Sequence, residues 1–201
     1  MASMVLDLQA AALDPNRRVS DLLRTVLLVA TKLDIGEFRD WANRELRGYG
    51  NSDTVPPYRH VRGQLRAHNP YHGWVPVMLE DTAMHEKLSV RPIGQAVSEL
   101  EDLYYSDRKD GTLQVPLQHD WLRKVFGHTE AFALGMVPTL LVDRSTIVGI
   151  IDAIRNVVLS WTLYLERNGI LGTAKTFSQQ EVAIAKTVPI TVEALATGDG
   201  V

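Results

Sequence analysis

Residues 145–168 constrain the fold of this chain more than any other stretch. Ile147, Ile150, Ile151, Ile154, Val158, Trp161 and Leu165 recur at helical spacing, while Val148, Val157, Leu159 and Leu163 occupy other faces. Ser145 suits an N-cap, and Gly169 suits the stop. A helix of roughly 22 residues is about 33 Å long. One that is apolar over most of its circumference belongs in a core. Its polar groups Asp152, Arg155, Asn156 and Ser160 then need partners or an outward face. A buried guanidinium requires a carboxylate, which Glu45 or Glu166 could supply, or several carbonyls. Asp152, Arg155 and Asn156 are therefore candidates for a structural clamp or an anion site.

The elements that must surround this helix are legible in outline. Val5, Leu6, Leu8, Ala11 and Ala12 line a short opening helix that Pro15 and Asn16 interrupt. Ser20 is expected to cap a second helix carrying Leu22, Leu23, Val26, Leu27, Ala30 and Leu33. Asp34 is expected to cap a third, through Ile35, Phe38, Trp41, Ala42 and Leu46, ending at Gly48 or Gly50. Residues 60–67 alternate with a period of two, Asn69-Pro70-Tyr71-His72-Gly73 is a turn, and residues 74–79 are β-prone, so a hairpin is expected. A brief helix follows at 81–88, and Pro92 is placed in the first turn of another through Ile93, Ala96, Val97, Leu100, Leu103 and Tyr104. After a charged loop ending at Asp110-Gly111, short strands are expected at 112–117 and 136–142, with helical turns at 119–126. Ser178 and Glu181 form a capping box for a late helix, and residues 197–201 are expected to fray. The expected class is α+β: predominantly helical, with a small, mainly antiparallel sheet packed with helices and one long apolar helix. A chain of 201 residues, 45% hydrophobic, buries roughly 70% of its unfolded surface. One domain over residues 1–170, with a C-terminal extension at 171–201, fits that size.

Charge and composition exclude more than they assign. Lys and Arg number 21 against 24 Asp and Glu, a formal charge of -3, which gives no general drive toward nucleic acid. The absence of Cys removes disulfides, thiolate metal sites and Cys nucleophiles. Met1-Ala2-Ser3-Met4 lacks the basic region of a secretory leader. The nearly apolar run 131–142 contains Gly135 and Pro138 and falls short of the ~20 residues that span a bilayer. A cytoplasmic protein without a membrane partner is expected.

No phosphate loop, dinucleotide fingerprint, zinc-protease pair or serine elbow is present. The histidines at 60, 68, 72, 85, 119 and 128 do not stack on one helix face, so no metal and no cofactor is expected. Glu99, Glu101 and Asp102 read as a solvated helix face. The densest polar and aromatic turn is Asn69-Pro70-Tyr71-His72-Gly73-Trp74, where Tyr71 and Trp74 suit stacking on a base or gripping a peptide. Trp41 and Tyr49 are interface candidates among the early helices, and Arg91 is a candidate contact for phosphate.

The ordered set of motifs resembles the AbiTii domain, a family associated with bacterial abortive-infection and related conflict systems. It is carried by Ala12-Leu13-Asp14-Pro15, Ser20-Asp21-Leu22-Leu23-Arg24, Trp41, Glu45-Leu46, Gly48-Tyr49, Pro57-Tyr58-Arg59, the Asn69 to Trp74 turn and Arg91-Pro92-Ile93-Gly94. Ser145, the run Ile150-Ile151-Asp152-Ala153-Ile154-Arg155-Asn156, Leu159, Trp161 and Leu165-Glu166 continue it. The resemblance implies an accessory or interaction domain of antiphage defence and brings no catalytic residues with it. The sequence thus leans to a non-enzymatic protein-interaction or self-assembly module, partnered by itself or by a defence-system protein. The alternatives are a hydrolase or nuclease effector and a nucleotide or nucleic-acid sensor, the latter using Arg91, Arg155 and Tyr71.

Overall fold

The computed structural model describes residues 3–50, 53–79, 81–105, 112–117, 119–173, 175–187 and 190–197, with the side chains of 119–121 excepted. The loop ending at Asp110-Gly111, part of the 51–57 loop and most of the expected frayed tail lie outside the described residues. The fold is α+β and predominantly helical, with small antiparallel sheets. The chain divides into two compact units. The first comprises Met1–Arg59, Gly94–Tyr105 and Val148–Val201; the second comprises His60–Ile93 and Ser106–Ile147.

The first unit is helical. Helices α1 (Met4–Leu13), α2 (Val19–Leu33), α3 (Gly36–Arg47), α5 (Val97–Tyr105), α9 (Gln179–Thr187) and α10 (Val192–Thr197) belong to it, together with most of α8 (Arg144–Arg167). α2 packs against α1, α3, α5 and α9, and its Leu22, Leu23, Val26, Val29, Ala30 and Leu33 have no solvent exposure. Phe38 of α3 stacks on Trp161 of α8 with ring centroids 4.5 Å apart and planes 10° apart. Truncating either ring in such a packed interior costs about 3–5 kcal/mol. By length and composition α8 is the one helix among the described residues that could cross a membrane. One side of it is nonetheless buried in the protein, through Ile150, Ile154, Val157, Val158, Trp161 and Leu165, while Leu163 is exposed.

Helix ends depart from the expected caps in four places. α8 begins at Arg144, so Ser145 lies inside it and does not cap it. The other three departures have tertiary or conformational causes. α2 begins at Val19, and Ser20 lies inside it. The Glu101 carboxylate of α5 accepts the N–H of Val19 and, at 3.4 Å, that of Ser20. Glu101 is therefore buried, unlike the solvated Glu99 and Asp102 beside it. A carboxylate at a helix N-terminus satisfies orphan N–H groups and complements the dipole. Asp34 does not cap α3. It ends α2 in the left-handed conformation, φ 57°, with its N–H returned to Ala30 and Thr31, a role that a short polar side chain tolerates. Pro92 closes strand β4 (Val90–Pro92) instead of opening α5.

The C-terminal capping box is present. Ser178 donates its N–H and hydroxyl to Glu181 at 2.7 and 2.9 Å, and the Glu181 N–H returns to the hydroxyl at 3.2 Å. The second Glu181 oxygen accepts the N–H groups of Leu171 and Gly172 at 2.9 and 2.8 Å. Their carbonyls in turn accept the first N–H groups of α1, from Val5 and Met4, at 3.1 and 3.3 Å. One carboxylate thus ties α9 to the strip that closes the start of α1.

In the second unit, β2 (Gln64–Asn69), β3 (Gly73–Pro76), β5 (Leu113–Pro116) and β6 (Pro138–Val142) form an antiparallel sheet in the order β3-β2-β6-β5. The expected hairpin is β2–β3, paired from Asn69 with Gly73 to Arg66 with Pro76. β1 (His60–Arg62) turns away at Gly63 and pairs with β4. A Cβ on Gly63 would sit 2.5 Å from the Leu141 carbonyl oxygen, so only glycine fits there. Pro76 and Pro116 lie in the two edge strands, which tolerate the missing N–H. Leu65, Leu88, Leu117, Leu122 and Phe126 form the core of this unit. They bring α4 (Thr82–Ser89) and α6 (His119–Phe126) together with β2. The short α7 (Glu130–Ala133), which the sequence did not suggest, is capped by Thr129.

Candidate functional site

The most concentrated polar chemistry lies in the helical unit, around a buried ion pair. α3 places Trp41 and Glu45 one turn apart on one face, with Phe38 and Ala42 also buried. The helix stops at Gly48, φ 87°, where a Cβ would approach the Gly94 carbonyl oxygen to 2.8 Å. Glycine there lets the Tyr49 N–H reach that same oxygen at 2.8 Å and turns the phenol back along the helix. Pro56 and Pro57 then lead into a 3-10 turn, Pro57–Arg59, which delivers Tyr58 and Arg59 to Glu45.

The Glu45 and Arg59 side chains have no solvent exposure. Glu45 Oε1 accepts the hydroxyls of Tyr49 and Tyr58 at 2.7 and 2.8 Å and Arg59 Nε at 3.0 Å. Its Oε2 accepts Arg59 Nε at 3.1 Å and also Arg59 Nη2. Tyr58 Oη accepts Trp41 Nε1–H at 2.8 Å. Arg59 Nη1 donates to the Gln95 carbonyl at 2.8 Å, and its guanidinium lies 5.0 Å from the Tyr49 ring centroid. Burial pushes the pKa of both phenols far above the ordinary tyrosine value, and the Glu45 charge adds to it. Burial opposes the charge on Arg59, but the Glu45 carboxylate outweighs it and the guanidinium holds its proton more tightly than usual. The cluster is an ionised pair with neutral phenols, committed inward. Phenols this reluctant to ionise are poor proton carriers at neutral pH. A cleft of about 280 Å³ opens beside the cluster, lined by Trp41, Tyr49, Pro57, Glu37 and Arg44 with Val192 of α10.

The structure brings two of the sequence candidates, Trp41 and Tyr49, into this one network. Trp41 is buried and Tyr49 half-buried. Arg155 is half-buried and meets carbonyls, not Glu45 or Glu166. Its Nη1 donates to Ala12 and Asp14 at 3.2 and 2.8 Å, with Ala11 at 3.5 Å, and its Nη2 to Arg17 at 2.7 Å. A cation held at the end of α1 also complements that helix's dipole. Asp152 and Asn156 beside it are exposed. Tyr71 and His72 are exposed on the β2–β3 turn, and half-buried Trp74 lies edge-on to His68 with centroids 5.2 Å apart. Arg91 lies in β4, where its buried Nε has no hydrogen-bond partner among the described residues. The residues that sequence reasoning missed are Tyr58, Arg59 and the Glu45–Arg59 pairing. The available signal was an Arg directly after Pro56-Pro57-Tyr58, in a segment stiff enough to aim it. Among the described residues, no three His, Cys, Asp or Glu side chains gather where they could hold a metal ion.

The chain thus comprises a helical unit organised on a buried Arg–Glu pair and a unit built on a small antiparallel sheet. The family model described as AbiTii matches residues 3–190. The chain belongs to the AbiTii family, and that membership points to bacterial abortive-infection defence. No curated protein and no solved structure gives a significant match to the chain.

Proposed function

We propose that the chain is a non-enzymatic, cytoplasmic interaction module of abortive-infection defence, which assembles with itself or with a defence-system protein through its helical unit. The contrast between a closed polar cluster and a row of exposed leucines in that unit carries the reading. The polar cluster binds its own members, whereas Leu13 is 65% exposed at the end of α1. Leu6 lies seven residues earlier on the same helix face and is also exposed. Gln9, between them, donates to Glu166 of α8 at 3.1 Å, and exposed Leu163 sits one turn before Glu166. Large apolar side chains flanking a polar tie have the composition of a protein interface.

A phage challenge of cells carrying the intact defence system tests the proposal. Leu13→Asp with Leu163→Glu should abolish protection while the purified protein keeps its helical circular dichroism and melting temperature. Undiminished protection by that double variant would contradict the assignment of this face.

A further inference from the structure

The sheet unit carries a second surface, independent of the proposed assembly face. Along β2, Leu65 and Ala67 are buried while Gln64, Arg66 and His68 face outward. The register places Trp74 opposite His68, Thr139 opposite Arg66, and Leu141 opposite Gln64. Gln114 and Pro116 extend the same rows into β5. The inward side of β2 packs through Leu65 against α4 and α6. None of the outward residues in these rows is buried. At one end the turn presents Tyr71, 91% exposed, beside His72. Asn69 Oδ1 accepts the N–H groups of Tyr71 and His72 at 2.8 and 3.1 Å and so shapes the turn.

Among the described residues of the four strands and their β2–β3 turn, Arg66 is the fully charged side chain. None of the four strands contains an Asp or Glu, and neither does the turn at 70–72. Arg66 is the cation at its centre, held over the sheet by Gln64 at 2.8 Å and the Trp74 carbonyl at 3.4 Å. All six histidines of the chain fall in this unit. An open antiparallel face with aromatic rings, a central Arg and no carboxylate within its described strands complements an extended polyanion whose bases are free to stack. A paired duplex hides those bases, and an acidic peptide would leave the rings unused.

The geometry points to a binding site for single-stranded nucleic acid on the outer face of β3-β2-β6-β5, with Tyr71 and Trp74 stacking on bases and Arg66 and His68 facing the phosphates. The chain's overall charge of -3 confines such binding to this local face. Fluorescence anisotropy of the full chain with labelled 12-nucleotide oligouridylate, oligothymidylate and a duplex of the same length, in 50 mM salt, tests it. Saturable binding of at least one single strand is expected, with the duplex at least about tenfold weaker; the two single-strand arms separate RNA from DNA. Tyr71→Ala, which removes a solvent-exposed ring and threatens no packing, should weaken binding about tenfold. Arg66→Ala should flatten the dependence of log affinity on log salt by about 0.7. Leu134→Ala, at an exposed position of the same unit outside the strands, should leave binding unchanged. Absence of single-strand binding, equal binding of the duplex, or unchanged affinity in Tyr71→Ala overturns the assignment.

Discussion

Glu45 is the residue on which most of the helical unit's polar interior depends. Removing one member of a buried, hydrogen-bonded ion pair leaves the other charge stranded, at a cost of about 3–5 kcal/mol. Glu45→Ala and Arg59→Ala should each lose that much stability in chemical denaturation. Tyr58→Phe should lose less, about 1–3 kcal/mol, because it orphans the buried Trp41 Nε1–H without stranding a charge. The phenols add a pH dependence. Tyr49 and Tyr58 have folded pKa values raised above the unfolded value of about 10. Their contribution is therefore whole below pH of about 10 and is lost progressively as pH rises above it toward the folded values. Ultraviolet titration should find Tyr49 and Tyr58, of six tyrosines in the chain, un-ionised until the protein unfolds in alkali. Early ionisation of both would contradict the buried network.

At the scale of elements, two ties hold the ends of α1. Arg155 gathers the carbonyls at its C-terminal end, and Arg155→Met should raise amide exchange in residues 11–19. Arg155→Lys should restore little, because a single ammonium cannot reproduce the planar fork that reaches carbonyls from Ala12 to Arg17. At the other end, burial raises the Glu181 pKa, but the N–H groups of Gly172, Ser178 and Leu171 outweigh it and hold the carboxyl below its usual range. A depressed carboxylate stabilises above its unfolded pKa, and the gain is lost as pH falls through the folded value. Amides of Leu171 and Gly172 should lose protection as pH falls through that lowered value, and Glu181→Gln should expose them already at neutral pH. These elements show what a sequence makes legible. The long helix, the β2–β3 hairpin, strands β5 and β6 and the Ser178–Glu181 box follow from periodicity or from partners three residues apart. The Glu101 cap on α2 bridges 82 residues, and the Glu45–Arg59 pair forms only after the Gly48 turn and the Pro57–Arg59 turn bring its halves together. No local window contains those contacts. Ser20, Asp34 and Pro92 each had the right chemistry for a cap or a first turn, and tertiary partners assigned the task elsewhere.

For the molecule as a whole, family membership sets the biological setting, and the distribution of polar and apolar groups sets the mechanism proposed within it. The proposed assembly draws on a unit that closes its carboxylate, guanidinium and phenols on one another while leaving Leu6, Leu13 and Leu163 at the surface. The proposed nucleic-acid site lies on the sheet unit and the proposed assembly face on the helical unit, so the two proposals can fail independently. The proposed assembly is the central claim, and multi-angle light scattering across a hundredfold range of protein concentration tests it most directly. The expected result is a mass that rises above the 22.4 kDa monomer with concentration, and that stays at the monomer value for folded Leu13→Asp with Leu163→Glu. A wild-type protein that remains 22.4 kDa throughout, or a double variant that assembles as the wild type does, would contradict it.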